Sequence, residues 1–170
     1  MVKRVLCFGT LVLLSTAISC QPAAPTDHSV ELRPIIDGYV EAWNTGNMDA
    51  LDSIIAANYQ RSGPSGGDAS SLEELKAVIG RFRTAFPDAR VTVDEADYLD
   101  NRSVIRWTYT GTNTGEGQFP ATGKKVSVSG VSVSRYEEGK LVEELVYFDN
   151  LDFMTQLGFK LTPPEEEAGS

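Results

Sequence analysis

Cysteine, histidine and cationic residues are scarce in this chain of 170 residues. It has two cysteines and one histidine, and 15 Lys and Arg residues stand against 24 Asp and Glu residues. These numbers disfavour a zinc site or a serine–histidine triad, and the sequence has no Gly-rich phosphate loop and no nucleophile elbow. The formal net charge of −9 also disfavours nucleic acid and anionic lipid headgroups as partners. We therefore expect no metal, no organic cofactor and no nucleic acid.

Apolar runs are too short to span a bilayer, including the run at the N-terminus. A basic start, MVKR, precedes the apolar stretch 5–18, as in an export signal. The segment ends in Ala-Ile-Ser-Cys, which resembles the lipobox of bacterial lipoproteins. We predict a signal peptide over 1–19 and lipidation of Cys20, followed by a tether over 20–28. The alternative is an ordinary signal peptide with a chance cysteine.

Export of this kind has consequences for charge and for location. Loss of Lys3 and Arg4 with the signal would take the formal net charge from −9 to −11. Cys7 would also be lost, so no intramolecular disulfide could form. The expected location is the bacterial cell envelope, with the N-terminal lipid in a membrane and the domain on the periplasmic side or the extracellular face.

The N-terminal half of the predicted domain, which spans 29–161, is helical in pattern. Apolar residues recur at helical spacing over 30–45, and Gly46 ends that helix. Asn47 is expected to cap a second helix that runs through Ile55. A third helix follows over 72–86 and begins with the capping box Ser-Leu-Glu-Glu. The acidic residues 162–170 are predicted to be a disordered tail.

The second half changes to a strand pattern. Strands are predicted over 90–99, 103–112, 124–136 and 140–148, with tight turns at 100–101 and 138–139. Because the helices precede the strands, we expect an α+β domain in which three N-terminal helices pack on a curved, mainly antiparallel sheet. The valine pattern changes register at Gly130, which predicts a β-bulge there.

Four stretches of the domain resemble one known family. They are AWNTGNMDALDSIIAANY (42–59), LEELKAVIGRFRTAFPDARVTV (72–93), RWTYTGTNTGEGQFPATGKKV (106–126) and SRYEEGKLVEELVYFDNLDFMTQLG (134–158). In this order they are similar to the SnoaL-like polyketide cyclases, also called ester cyclases, of the ketosteroid isomerase and nuclear transport factor 2 superfamily. The resemblance implies a cone-shaped fold around an apolar pocket, and an intramolecular aldol ring closure without metal or cofactor. The aspartate after the last strand is the general acid/base of such cyclases, and Asp149 matches it.

Two interpretations of Asp149 remain open. It can cap a helix over 151–157, which is the commonest use of an aspartate in front of a helix. It can also act as an acid: burial favours the protonated carboxyl, which can donate to the oxygen of a developing enolate. Strict alternation places Asp149 on one strand face with Leu145 and Tyr147, so the acid role requires that this face be concave.

Further pocket residues are predicted mainly from the aromatic content. The candidates for contact with a ligand are Tyr147, Trp43, Tyr59, Trp107, Tyr109, Phe119, Asn113 and Ser132. Asn113 lies in a segment where relatives carry histidine, and the histidine that many relatives carry near Arg61 is also absent. Aromatic residues in such positions usually belong to the core, although in a fold built around a pocket they also form its walls.

The sequence leaves two functions open. The first is a SnoaL-like cyclase or isomerase that uses Asp149 on a small apolar carbonyl compound. The second is a non-catalytic lipoprotein module that binds an apolar small molecule. Both faces of the last strand are apolar over 145–148, which predicts self-association as a homodimer or a higher homo-oligomer through the outer face of the sheet.

Overall fold

A computed structural model describes residues 27–118 and 120–162 of the chain. The predicted signal peptide, the lipidation of Cys20, most of the tether, Phe119 and most of the acidic tail lie outside the described residues. No helix in the described part of the chain is long and apolar enough to cross a membrane.

The described residues form four helices and five strands. The helices are α1 Ser29–Thr45, α2 Leu51–Ile54, α3 Leu72–Ala85 and α4 Asn150–Gln156. The strands are β1 Ile55–Ser62, β2 Arg90–Tyr98, β3 Arg102–Thr112, β4 Lys125–Glu137 and β5 Lys140–Phe148. The α+β class with a curved, mainly antiparallel sheet is confirmed.

The two long helices form where their local signals predict them. Gly46 ends α1 in the left-handed conformation, with φ 81°, and donates its N–H to the carbonyl of Ala42. Ser71 caps α3 by accepting the N–H of Glu74 at 3.2 Å, and the Glu74 carboxylate accepts the N–H of Ser70 at 2.8 Å. The capping box is therefore present, with the return bond one residue earlier than in its simplest form.

The predicted second helix is mostly wrong. Its N-cap is Ala50 rather than Asn47, and it has only four residues before the chain becomes strand β1 at Ile55. β1 pairs in parallel with β5, which is remote in sequence. This partner supplies the backbone hydrogen bonds that make 55–62 a strand, and nothing in the local sequence reveals it.

The sheet has the order β1-β5-β4-β3-β2, and all pairs except β1–β5 are antiparallel. The predicted tight turns connect β2 to β3 and β4 to β5. In the second turn Glu138 and Gly139 both have positive φ, 49° and 72°. This is the two-residue geometry that matches the twist of antiparallel strands.

The predicted bulge at Gly130 is wrong, because β4 pairs with β3 without a shift along its whole length. Gly130 instead accommodates Trp107, since a Cβ at this position would overlap the indole ring. The shift lies in β5, where Arg135 faces Glu143 but Tyr136 faces Leu141. This irregularity reverses which residues of β5 face inward after Leu141.

Candidate functional site

The concave side of the sheet and the helices enclose an inner cavity of about 90 Å³. Its walls come from α1, α3, the four strands β2 to β5 and α4, with Arg61 reaching it from β1. Most of the lining is apolar or aromatic, and it includes Ile36, Val40, Trp43, Phe82, Ile105, Trp107, Tyr109, Val128, Val146, Phe148 and Phe153.

A buried carboxylate lies in the wall of this cavity. Glu144 is only 4% exposed, and its Oε2 atom accepts three hydrogen bonds. Two come from the hydroxyls of Tyr39 and Tyr59, each at 2.8 Å, and the third comes from Nε of Arg61 at 3.2 Å. The other oxygen, Oε1, accepts no hydrogen bond from any residue that the structure describes. One oxygen is thus held firmly while the other is left available.

The partners of Glu144 keep their protons at neutral pH. Burial raises the pKa of Tyr59 well above its ordinary value, and the negative charge of Glu144 raises it further. The same two causes raise the pKa of Tyr39. Burial alone would lower the pKa of Arg61, but attraction to Glu144 and the neighbouring tyrosines outweighs it and the net shift is upward. The cluster therefore contains three fixed donors around a carboxylate, and one of the three is a cation.

Arg61 connects this cluster to a loop at the edge of the cavity. Its Nη1 atom donates to the carbonyl of Gly67, and its guanidinium lies 5.8 Å from the ring centre of Trp43. Ser65, in the same loop, donates its hydroxyl to the carbonyl of Phe148 at 2.8 Å. The loop is therefore tied both to the buried ion pair and to the end of β5.

Further polar groups of the cavity wall include the Trp107 indole and the hydroxyls of Ser132 and Tyr109. Trp107 donates its Nε1–H to the hydroxyl of Ser132 at 3.1 Å, which satisfies both side chains. The hydroxyl of Tyr109 is buried and has no hydrogen-bond partner in the part of the chain that the structure describes. Burial raises its pKa, so it remains a neutral donor. A buried donor without a partner calls for an explanation.

An outer cavity of about 420 Å³ adjoins the inner one. Its walls are the loop with Ser65, the C-terminal half of α3, the segment after β3 and α4. Phe82, Phe148 and Phe153 line both cavities. These two cavities, the inner and outer chambers, therefore share three phenylalanines in their walls.

Asp149 does not reach either cavity. It is exposed, and its Oδ1 atom accepts the N–H of Asp152 at 2.9 Å, which makes it the N-cap of α4. The shift in β5 explains why alternation misplaces it: Leu141 faces inward, but after the shift Glu144, Val146 and Phe148 face inward instead. The acid role requires that Asp149 lie on the concave face of the sheet, and in this structure it does not. A catalytic role for Asp149 stays a prediction.

The other predicted residues fall into three groups. Trp43, Trp107, Tyr109 and Ser132 line the inner cavity. Tyr59 is fully buried behind Glu144. Asn113 lines the outer cavity, where its side chain accepts the N–H of Thr122 and donates to the carbonyl of Ala85. Tyr147 is 49% exposed on the opposite face of β5 and lines neither cavity, because the same shift in β5 turns it outward. Its contact with a ligand stays a prediction.

Sequence reasoning missed Glu144 and Arg61 as site residues. A signal for Glu144 was present, because it is a lone carboxylate between Val142 and Val146 on one side of an apolar strand. Its partner lies 83 residues away in a strand that was not predicted, so the pair itself could not be inferred. Within residues 27–118 and 120–162, no group of three His, Cys, Asp or Glu side chains is placed to hold a metal ion.

Solved structures with a similar fold show which class of protein this chain resembles. TsrD from Streptomyces laurentii is 24% identical and matches with a TM-score of 0.69, over 76% of this chain and 96% of that one. IdmH from Streptomyces antibioticus is 26% identical, with a TM-score of 0.65 over 75% and 98%. A protein of ketosteroid isomerase-like fold from Catenulispora acidiphila, in complex with trimethylamine, is 18% identical, with a TM-score of 0.64 over 76% and 97%. The domain has the ketosteroid isomerase-like, nuclear transport factor 2-like fold.

The family follows from the sequence itself. The sequence model of the SnoaL-like polyketide cyclase family matches residues 34–157. The chain belongs to this family, which confirms the resemblance found in its four stretches. Membership supports a cyclase or isomerase function in general terms. No curated protein sequence matches the chain.

Proposed function

We propose that the protein is a cofactor-independent cyclase or isomerase that acts on an apolar carbonyl compound, and that Glu144 is its acid/base group. The observation that carries this proposal is the half-anchored carboxylate in the wall of an apolar cavity. Three donors fix Oε2 of Glu144, and Oε1 has no partner among the described residues. A fixed carboxylate with one available oxygen has the geometry of a general base.

The chemistry needs only this one group to move a proton. Glu144 removes a proton from the carbon next to the carbonyl, which leaves an enolate. In an isomerisation the proton returns to another carbon. In a ring closure the enolate carbon forms a bond to a second carbonyl carbon, and the proton of Glu144 goes to the resulting alkoxide. Atoms and charge balance in both cases without a metal or cofactor.

The neighbours of Glu144 can contribute to this chemistry in different ways. Arg61, Tyr39 and Tyr59 remain protonated, so they hold the carboxylate in place but do not compete with it as bases. Tyr109 brings an unused hydroxyl into the same wall, where a carbonyl oxygen could accept its hydrogen bond. Asp149, the family's acid/base position, is the competing candidate.

Hydrogen–deuterium exchange tests the proposal without knowledge of the natural substrate. Acetone in D₂O exchanges its α-protons through the enolate, and NMR follows the rate. The wild type and Asp149→Asn are expected to accelerate exchange, and Glu144→Asp is expected to lose the acceleration. Glu144→Asp keeps the charge that Arg61 needs, so it preserves the fold better than Glu144→Gln. If Asp149→Asn loses the acceleration of exchange and Glu144→Asp retains it, Asp149 is the acid/base group instead.

A non-catalytic binding module is the second candidate function. It is favoured by the pairing of Glu144 with Arg61, because a buried carboxylate beside an arginine also serves a purely structural purpose. In that case the cavity holds an apolar ligand and Glu144 only stabilises the fold. Absence of any exchange above background in the wild type, together with a co-purified ligand that is unchanged after incubation, would establish this function instead.

We also propose that the protein is exported and anchored through a lipid on Cys20. The support is the N-terminal sequence alone, with its basic start, short apolar stretch and Ala-Ile-Ser-Cys end. Mass spectrometry of the mature N-terminus is expected to find an acylated cysteine. An unmodified N-terminus at another residue would contradict the anchor.

Self-association through the outer face of the sheet remains a further proposal. Tyr147 pairs with Val131 and Leu145 with Val133 across β4 and β5, so apolar side chains form a patch on the face away from the cavity. Tyr147→Lys is expected to shift sedimentation toward the monomer. An unchanged sedimentation coefficient in an oligomeric wild type would place the interface elsewhere.

A further inference from the structure

The inner and outer cavities share part of their walls. Phe82 of α3, Phe148 of β5 and Phe153 of α4 line both. The rings of Phe148 and Phe153 are 6.0 Å apart in an edge-to-face arrangement. The three phenylalanines can therefore contact a ligand in either chamber.

The two chambers differ greatly in size. The inner one is about 90 Å³ and the outer one about 420 Å³. An engineered apolar cavity that takes up benzene measures ~150 Å³. The inner chamber thus admits a compact group, and a larger ligand must extend past the phenylalanines into the outer chamber.

The two chambers also differ in charge. In the inner wall the cation Arg61 is paired with the anion Glu144. Among the described residues of the outer wall, Arg81 is the one charged side chain, and no Asp or Glu accompanies it. Arg81 is exposed and makes no ion pair or side-chain hydrogen bond with any residue in 27–118 or 120–162. The lining of the outer chamber therefore carries one formal positive charge and no formal negative charge, in a chain whose formal net charge is −9.

Two uncharged polar side chains accompany Arg81 in the outer wall. Gln118 and Asn150 are exposed there, and neither side chain has a hydrogen-bond partner in the described parts of the chain. Amide groups can donate to the oxygens of an anion while a guanidinium supplies the charge. Together the three side chains suit a carboxylate or a similar oxyanion.

We propose that the ligand is an elongated amphiphile with an anionic group. Its compact apolar end occupies the inner chamber beside Glu144, and its wider part crosses the three phenylalanines. Its anionic group lies in the outer chamber against Arg81. The assignment of the reacting end rests on the proposed function, whereas the anionic subsite is a statement about binding alone.

A pair of fluorescent probes tests the anionic subsite. 8-Anilinonaphthalene-1-sulfonate carries a sulfonate, and N-phenyl-1-naphthylamine is the same ring system without it. Arg81→Gln is expected to weaken sulfonate probe binding by about tenfold, the value of one good charge-assisted contact. The uncharged probe should change less than about twofold by the same reasoning. The matched control is Arg102→Gln, which removes an exposed arginine at the far end of β3.

The outcomes separate this proposal from its competitors. If Arg81→Gln and Arg102→Gln weaken binding of the sulfonate probe equally, the effect comes from the overall charge of the protein. That result would overturn the anionic subsite. If Arg81→Gln weakens binding of both probes equally, Arg81 only packs against the rings. That result would also overturn the anionic subsite. Thermal unfolding of both variants shows whether the fold is retained. Neither probe reports catalysis, so the exchange experiment can fail while this one succeeds.

NMR of methyl groups tests whether one ligand occupies both chambers. Ile36 and Val146 line the inner chamber, and Ala85 and Met154 line the outer one. The sulfonate probe is expected to shift the methyl resonances of both sets at the same concentration. Shifts confined to Ala85 and Met154 would contradict the elongated ligand and leave two separate sites.

Discussion

At the scale of the residue, the side of β5 to which a carboxylate belongs decides whether it is buried or exposed. Glu144 and Asp149 are close in sequence, yet Glu144 is buried against three donors and Asp149 is exposed at a helix end. The difference is set by the side of the strand on which each lies, not by its chemistry. A local shift in register is sufficient to exchange the roles that simple alternation assigns.

Replacement of Tyr59 and of Tyr109, two buried tyrosines of the site, should change stability in opposite ways. Tyr59 donates to the ionised Glu144, and its replacement by Phe is expected to lower the free energy of unfolding by about 1.5–3 kcal/mol. Tyr109 has an unpartnered hydroxyl, so Tyr109→Phe should leave that free energy unchanged or raise it by at most about 1–3 kcal/mol. Urea denaturation of both variants measures the difference. A clear loss of stability in Tyr109→Phe would reveal a partner for its hydroxyl.

At the scale of the element, caps determine where the helices begin. The Ser71 cap was predicted from the sequence, and the Asp149 cap was one of two interpretations left open. Both caps are present, each with a side chain that accepts a backbone N–H. Strand β1 was missed, because its character depends on β5 rather than on its own residues. Elements with local signals were therefore predictable, and the element defined by a remote partner was not.

Asp149 provides a test of the cap itself. Asparagine can cap a helix as well as aspartate, so Asp149→Asn should change the free energy of unfolding by no more than a few tenths of a kcal/mol. Alanine cannot cap, and Asp149→Ala should cost about 0.5–2 kcal/mol. Chemical denaturation measures both variants. Equal stability of the two would mean that the hydrogen bond to Asp152 contributes little in solution.

At the scale of the whole molecule, the site joins parts of the chain that are far apart in sequence. Arg61 on β1 binds Glu144 on β5 and also the carbonyl of Gly67 in the loop of the outer chamber. Ser65 in this loop binds the carbonyl of Phe148, one of the phenylalanines between the chambers. The ion pair therefore stabilises the tertiary arrangement and the wall of the site together.

Alkaline pH should destabilise the fold through its buried tyrosines. Burial raises the pKa of Tyr59 and Tyr109 above the ordinary value of ~10. Above that pH the unfolded chain loses these protons and the folded chain keeps them, so their contribution to stability is complete below pH ~10 and is lost as the pH rises further. Each such tyrosine should reduce the free energy of unfolding by about 1.4 kcal/mol per pH unit.

Denaturation at a series of alkaline pH values checks this expectation. Tyr59→Phe removes one of the titrating groups and serves as the comparison. The free energies of the wild type and of Tyr59→Phe should converge as the pH rises above ~10, because only the wild type has this tyrosine to ionise. Parallel curves would show that Tyr59 ionises equally in the folded and unfolded chains.

The sequence by itself determined the α+β class, the two long helices, the helix caps, the antiparallel hairpins and the family, because each of these depends on local periodicity, capping residues or a matching order of segments. It also identified four residues that line the inner cavity, namely Trp107, Tyr109 and Ser132 on strands and Trp43 on α1. Only the tertiary structure decided that β1 joins the sheet in parallel and that β5 shifts register after Leu141. The parallel pairing and the register shift together place Glu144 beside Arg61 and leave Asp149 outside the cavities. The physical reason is that strand pairing and side-chain burial depend on partners distant in the chain, which no local signal specifies.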